Sequence, residues 1–246
     1  MTNMEKLPVI CAVITGDIVG STKLAAKDLP RVRKALEQAV RSFRRNRDGF
    51  FKGPEFFRGD SWQVLLGDPS LALNLLLLIQ ATLIEELNVQ TRASIGVGTT
   101  TSVGNALAIS TGEAFTLSGR AFENIASSER FDGALPDQAS QMAPWFVASL
   151  RICGGLAGSW TRRQAEAMRL WLTLPNPTHE AIAQGLNPQV TKQSVGNILT
   201  SANWHYLYEV MKAFRATNWQ LLSAETASFP ARQEKQVSGM GGKRKA

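Results

Sequence analysis

Cysteine and histidine are scarce in this 246-residue chain, with two of each. Cys11 and Cys153 supply neither a disulfide framework nor a thiolate metal set, and so low a count fits a reducing compartment. His179 and His205 stand at no spacing that serves zinc and read as surface or boundary positions. No lysine follows a glycine loop as in a P-loop, and no serine lies in a nucleophile motif with a positioned histidine. The start MTNMEKLP lacks an apolar signal region. The most apolar run, LALNLLLLI at 71–79, is too short to span a bilayer and contains Asn74, so it reads as a buried helix. The expectation is a cytoplasmic protein with no membrane partner.

Acidic residues are the other shortage, and it is local. Residues 1–150 balance their charges, so the whole formal net charge of +7 falls in residues 151–246. Such asymmetry points to an acidic partner for the second part, above all nucleic acid, set against a merely solvated basic surface. At 44% hydrophobic and 19% charged residues, the chain can bury a sizeable core as one large domain or a medium one plus a small one.

Along the chain, VICAVITG reads as a buried strand ending at Gly16. Val32, Leu36, Ala39, Val40 and Phe43 fall on one face of a helix over about 29–47, with a basic face opposite and Asp28 before Pro30 as its start. EFFRGDSWQVLLGD reads as two short strands joined around Arg58–Gly59–Asp60–Ser61, followed by an apolar helix over 70–87 and a strand over 89–98. Residues 99–110 read as a loop or irregular strand, and 112–126 turn helical in their second half. This order predicts an α+β fold with a ferredoxin-like palm. Around 133–160 the chain reads as loosened. The expected division is 1–150 for the α+β domain, 151–227 for an all-α domain, and 228–246 for a basic disordered tail.

Asp17 ends the first strand and Asp60 sits in the hairpin turn. On neighbouring strands of a palm the two carboxylates approach each other, and both stay ionised comfortably only with a cation between them. Magnesium takes one or two protein carboxylates and completes its shell with water and phosphate oxygens. Gly20, Ser21 and Thr22 leave room for a triphosphate against backbone N–H groups. The alternative is that Asp17 caps the following segment and Asp60 serves its turn.

DIVGST followed by RGDS in a hairpin resembles the class III nucleotidyl cyclases over roughly residues 8–130. The resemblance implies that Asp17 and Asp60 are ligands of Mg²⁺ or Mn²⁺, and that a nucleoside triphosphate or cyclic nucleotide is the partner. In that family an asparagine and an arginine four residues apart serve the transition state. GEAFTLSGR places Thr116 and Arg120 there, keeping the arginine and not the asparagine. Phe56 stands where purine cyclases carry a base-reading lysine. These departures leave open another base, or binding without turnover. Overall the chain resembles more closely the SatD-like family of small bacterial proteins, which begin with a strand–GDI–x–x–S segment and end in a helix-turn-helix; their biochemical function is undefined.

THEAIAQGLNPQVTKQSVGNILTSANW resembles a helix-turn-helix. Ile182, Ala183 and Leu186 pack the first helix, and Val195, Ile198 and Leu199 the second. The recognition helix then offers Thr191, Lys192, Gln193, Ser194 and Asn197 to double-stranded DNA. Arg162, Arg163 and Arg169 are positioned to hold phosphates. The turn NPQV is about two residues longer than usual, and a plain helical bundle is the alternative. The expectation is a homodimeric DNA-binding transcriptional regulator with a nucleotide- and metal-sensing domain; the alternative is a divergent nucleotidyl cyclase.

Overall fold

A computed structural model describes residues 10–223, apart from positions 26, 46 and 58. Arg58 and the segment from 228 therefore lie outside the described residues.

The first strand, β1 (Ile10–Ile18), is buried on both faces, its alternating side chains entering two apolar layers. Ile10, Ala12, Ile14 and Ile18 enter the main core, while Cys11 and Val13 join Leu65, Leu107 and Ala114 in a smaller cluster on the other face. Helix α1 (Leu29–Arg45) buries Val32, Leu36, Ala39, Val40 and Phe43, as the periodicity predicts. The hairpin pairs β2 (Phe51–Phe57) with β3 (Ser61–Leu66). Helix α2 (Ala72–Leu87) leads into β4 (Thr91–Thr99), and α3 (Glu113–Glu123) precedes the short β5 (Phe131–Ala134).

The sheet is mixed, in the order β2-β3-β1-β4-β5. Neighbours among the first four strands run antiparallel, and β5 runs parallel to β4. Each helix in β1–α1–β2 and β3–α2–β4 thus joins two strands that are separated by one antiparallel neighbour. The chain is an α+β protein with five strands and eight helices among its described residues.

Helix α2 is apolar nearly all round, with Ala72 to Ile84 buried without interruption. The stretch Pro69–Leu87 is apolar and long enough to cross a membrane, yet most of it is covered by the protein's own chain. Three polar side chains go into the core with it, and one of them, Thr82, donates its hydroxyl to the Leu78 carbonyl at 2.8 Å. Gln80 Oε1 accepts a hydrogen bond from the Thr91 amide at 3.0 Å, while Asn74 Oδ1 has no partner.

Residues 133–160 depart from the expected loosened stretch. They contain the end of β5 and a 16-residue helix, α4 (Ala143–Gly158). The prolines and glycines there misread as punctuation. Pro144 occupies the first turn of α4, where its missing N–H costs little. Gly154 is required by close approach, since a Cβ there would lie 2.6 Å from the Phe131 amide nitrogen. Phe146, Leu150, Cys153 and Ala157 form the buried stripe, and burial pushes the Cys153 thiol up to about 12. Position 150, the expected division, falls inside α4, and the main core runs unbroken past it.

The remaining helices are α5 (Arg162–Thr173), α6 (His179–Gly185), α7 (Lys192–Ser201) and α8 (Trp204–Ala216). Thr161 and Gln164 form a reciprocal cap at the start of α5. Thr178 caps α6, and Thr191 caps α7. Helix α5 packs along α2, where Arg169 grips both oxygens of Glu85. Trp204 sits in an aromatic cluster with Trp171, at 4.5 Å between ring centres, and Tyr208.

Gly154→Val forces a branched side chain into the α4–β5 contact. Overpacking of this kind costs about 1–3 kcal/mol, so urea unfolding should show the midpoint fall with the slope unchanged. An unaltered midpoint would contradict the close approach.

Candidate functional site

Antiparallel register sets the site. It places Arg92 directly opposite Asp17, so the two side chains share a face of the sheet. Arg92 Nη2 donates to Asp17 Oδ2 at 2.6 Å. The backbone beneath is fixed as well. Trp62 Nε1 donates to the Thr91 hydroxyl at 3.1 Å, and that hydroxyl donates to the Asp17 carbonyl at 2.6 Å. The carboxylate is therefore held by a locked strand end and is not capping a helix.

Asp60 arrives from the hairpin. Its turn is tied to α1, because Arg33 Nη2 donates to the Gly59 carbonyl at 2.6 Å. Asp17 and Asp60 line one cleft of about 340 Å³ together with Gly20, Ser21 and Thr22. Gly20 has a φ of 70°, the left-handed region that favours glycine, and turns the chain away from the end of β1 into a short 3-10 turn over Ser21–Lys23. The five residues expected to act together thus come together.

Two arginines and a serine in the cleft were not foreseen: Arg92, Arg130 and Ser127. Arg130 Nε donates to Gln90 Oε1 at 2.7 Å, and its Nη1 donates to the Ser127 carbonyl at 3.3 Å. The sequence signal for Arg92 exists only once the β1–β4 register is known. Arg130 lies outside every motif.

The other expected residues lie elsewhere. Thr116 is exposed on α3, its hydroxyl 3.4 Å from the Gly112 carbonyl, and Arg120 is exposed one turn further on. Neither lines the cleft, and nor does Phe56, which packs against the main core with the Arg33 guanidinium 5.2 Å from its ring centre.

The cleft chemistry fits a cation only in company. Among the described residues, no group of three or more His, Cys, Asp or Glu side chains is placed to hold an ion. Asp17 Oδ1, however, is buried without a hydrogen-bond partner. An orphaned carboxylate oxygen in a cleft shared with a second carboxylate suits a divalent ion whose remaining ligands are water and phosphate. Arg130, which pairs with no carboxylate among the described residues, would add positive charge for those phosphates.

At the helix pair, the expected DNA-facing residues divide into two sets. Lys192, Gln193 and Asn197 are exposed on α7 and form no side-chain hydrogen bond among the described residues. Thr191 and Ser194 are engaged with each other, with 2.9 Å between their hydroxyls, and the Ser194 amide donates to Thr191 Oγ1. The arginines of α5 are engaged too. Arg162 Nε donates to the Glu85 carbonyl at 2.9 Å. Arg163 pairs with Glu166 at 2.6 Å and donates to the carbonyls of Asn187 and Pro188. Glu166 in turn accepts from the Asn187 amide at 2.7 Å. The long NPQV turn is thus clamped from α5.

No model of a known protein family matches the chain, and no curated protein matches it.

Arg163→Ala should therefore lower stability. Losing charge-assisted bonds to a partly buried clamp costs roughly 1–2 kcal/mol. Lys192→Ala should leave stability within about 0.5 kcal/mol. Thermal unfolding of the two variants checks the contrast, and equal effects would overturn it.

Proposed function

We propose that this protein is a DNA-binding regulator whose α+β part senses a nucleotide with a divalent metal ion. On this reading the sheet with α1 and α2 is a ferredoxin-like palm, supported by the two split β–α–β units. The helices from α5 onward form the DNA-binding unit. The observation that carries the reading is the exposed start of α7. Lys192, Gln193 and Asn197 face outward there, while neighbouring basic residues are occupied with protein oxygens. Gln and Asn suit the two edge groups of adenine, and Lys suits guanine. A homodimer would present two such helices to two half-sites.

In the palm, Asp17 and Asp60 would hold Mg²⁺ or Mn²⁺, which supplies charge neutralisation to bound phosphates. Arg92 already orients Asp17 through Oδ2, so that Oδ1 is left for the ion. Gly20 to Thr22 and Arg130 border the space a phosphate chain would fill. Nucleotide binding changes DNA affinity only if the two DNA-binding states bind the nucleotide differently.

A second reading, a divergent nucleotidyl cyclase, is favoured by the same orphaned oxygen of Asp17. Against it, Thr116 and Arg120 do not line the cleft of the Asp17 that shares their chain.

Fluorescence anisotropy with duplex DNA tests the first reading. Affinity should fall linearly with salt on logarithmic axes. Lys192→Ala with Gln193→Ala should weaken binding about tenfold or more, the scale of one or two lost base contacts. Asp17→Ala should leave nucleotide-free DNA binding within about twofold and abolish its response to Mg²⁺ with nucleoside triphosphates. Duplex binding that the α7 variants do not change sinks this reading. Release of a cyclic nucleotide by the wild type, absent in Asp17→Ala, establishes the second.

A further inference from the structure

A second cavity, of about 500 Å³, lies between the α+β part and the last helices. Arg47, just beyond α1, and Asn74, in the first turn of α2, border it on one side. Trp171 near the end of α5, the turn through Pro175 and Pro177, and Tyr208 and Arg215 of α8 border it on the other. No residue of the Asp17 cleft contributes to it.

Its charges are uncompensated. Arg47 is half-buried, and its guanidinium lies 3.8 Å from the centre of the Phe43 ring. It donates to the carbonyls of Phe43, at 2.9 Å, and Leu172, at 3.3 Å. Neither Arg47 nor Arg215 forms an ion pair with a carboxylate among the described residues. Arg169, also on α5, contrasts with them, since Glu85 neutralises it. Burial lowers the Arg47 pKa, and the like charge of Arg215 lowers it further. Two cations bordering one cavity without an acid favour an anion within it.

An independent sign of a ligand comes from Asn74. Its side chain lines the cavity at 2% exposure, and its Oδ1 accepts no hydrogen bond. A buried unmatched acceptor is a standing cost that a ligand donor removes. Trp171 and Tyr208 stand edge to face, their ring planes 88° apart, and with the two prolines they supply an apolar side to a partly polar lining.

We propose that this cavity binds a small aromatic anion: an oxyanion head for Arg47 and Arg215, a planar ring against Trp171 and Tyr208, and one hydrogen-bond donor for Asn74. Because its walls come from α2, α5 and α8 together, occupancy ties the palm to the helices that carry α7. The site is separate from the Asp17 cleft and does not rest on a nucleotide binding there.

Calorimetric titration of the full chain tests this with 4-hydroxybenzoate and phenyl phosphate as probes, and with benzyl alcohol and inorganic phosphate as controls. Saturable binding of either probe, at least tenfold tighter than both controls, is expected. The preferred probe identifies the head as carboxylate or phosphate. Arg215→Met, at an exposed position, should weaken probe binding at least tenfold and leave the ligand-free melting temperature undiminished, because it removes a like-charge repulsion. Asp17→Ala should leave probe binding unchanged. Absence of saturable binding by both probes overturns the proposal. So does binding that Arg215→Met does not weaken, or inorganic phosphate binding as tightly as phenyl phosphate. A loss of duplex DNA affinity in Arg215→Met without probe binding by the wild type would assign the arginine to DNA phosphates instead.

Discussion

A helix with no polar face has to be covered on every side, and α2 imposes that requirement on the whole molecule. Its residues from Ala72 to Ile84 are buried in succession, so no single layer can satisfy it. The sheet and α1 cover part of its surface, and α4, α5 and α8 cover the rest. Burial at about 25 cal/mol per Å² of apolar surface makes such coverage a dominant favourable contribution. Polar contacts then fix how α5 lies. Arg169 grips Glu85, and Arg162 reaches the Glu85 carbonyl. The helices that carry α7 are thereby joined to the sheet through a continuous core rather than a linker.

The same core fixes the cleft at the other end of β1. Trp62 reaches across to Thr91, Thr91 holds the Asp17 carbonyl, and the register then delivers Arg92. Half of the Asp17 carboxylate is satisfied by this cross-strand pair, and the other half is left buried and unmatched. A carboxylate that merely capped a turn would spend its oxygens on backbone amides. Leaving one oxygen unpaired in a cleft shared with Asp60 is costly unless a ligand satisfies it, and that asymmetry gives the two-aspartate pattern its chemical meaning.

Much of this was legible in sequence because it depends on local periodicity. The stripe on α1, the short apolar run of β1 and the hairpin around Asp60 are all short-range signals. Asp17, Gly20, Ser21, Thr22 and Asp60 also meet as expected, since four lie within six residues of one another and the fifth sits on an adjacent hairpin. What failed to show was long-range. Helix α4 was hidden by Gly154, whose absence of a side chain is explained only by Phe131, more than twenty residues earlier. Arg92 and Arg130 reach the cleft through strand register and a loop, and no motif spacing encodes either. Thr116 and Arg120 kept a motif-like spacing on α3 yet do not line the cleft.

The basic character of residues 151–246 is likewise a sum that the structure divides unevenly. Arg162, Arg163 and Arg169 hold the fold, by gripping α2 or by clamping the turn before α7. Of the residues expected to face DNA, this leaves one free cation, Lys192, beside the neutral Gln193 and Asn197. Neutral amides read base edges but contribute little to phosphate attraction, which dominates affinity. If α7 meets DNA, a single copy of it is therefore better equipped to discriminate than to hold. On the DNA-binding reading, the grip has to come from elsewhere: from a second copy of the helix pair, from exposed cations outside α7 such as Arg215, or from the five Lys and Arg after position 228. Sequence specificity and electrostatic affinity would then reside in different parts of the chain, and trimming the basic segment would weaken binding to all duplexes alike while preserving the order of preference among them.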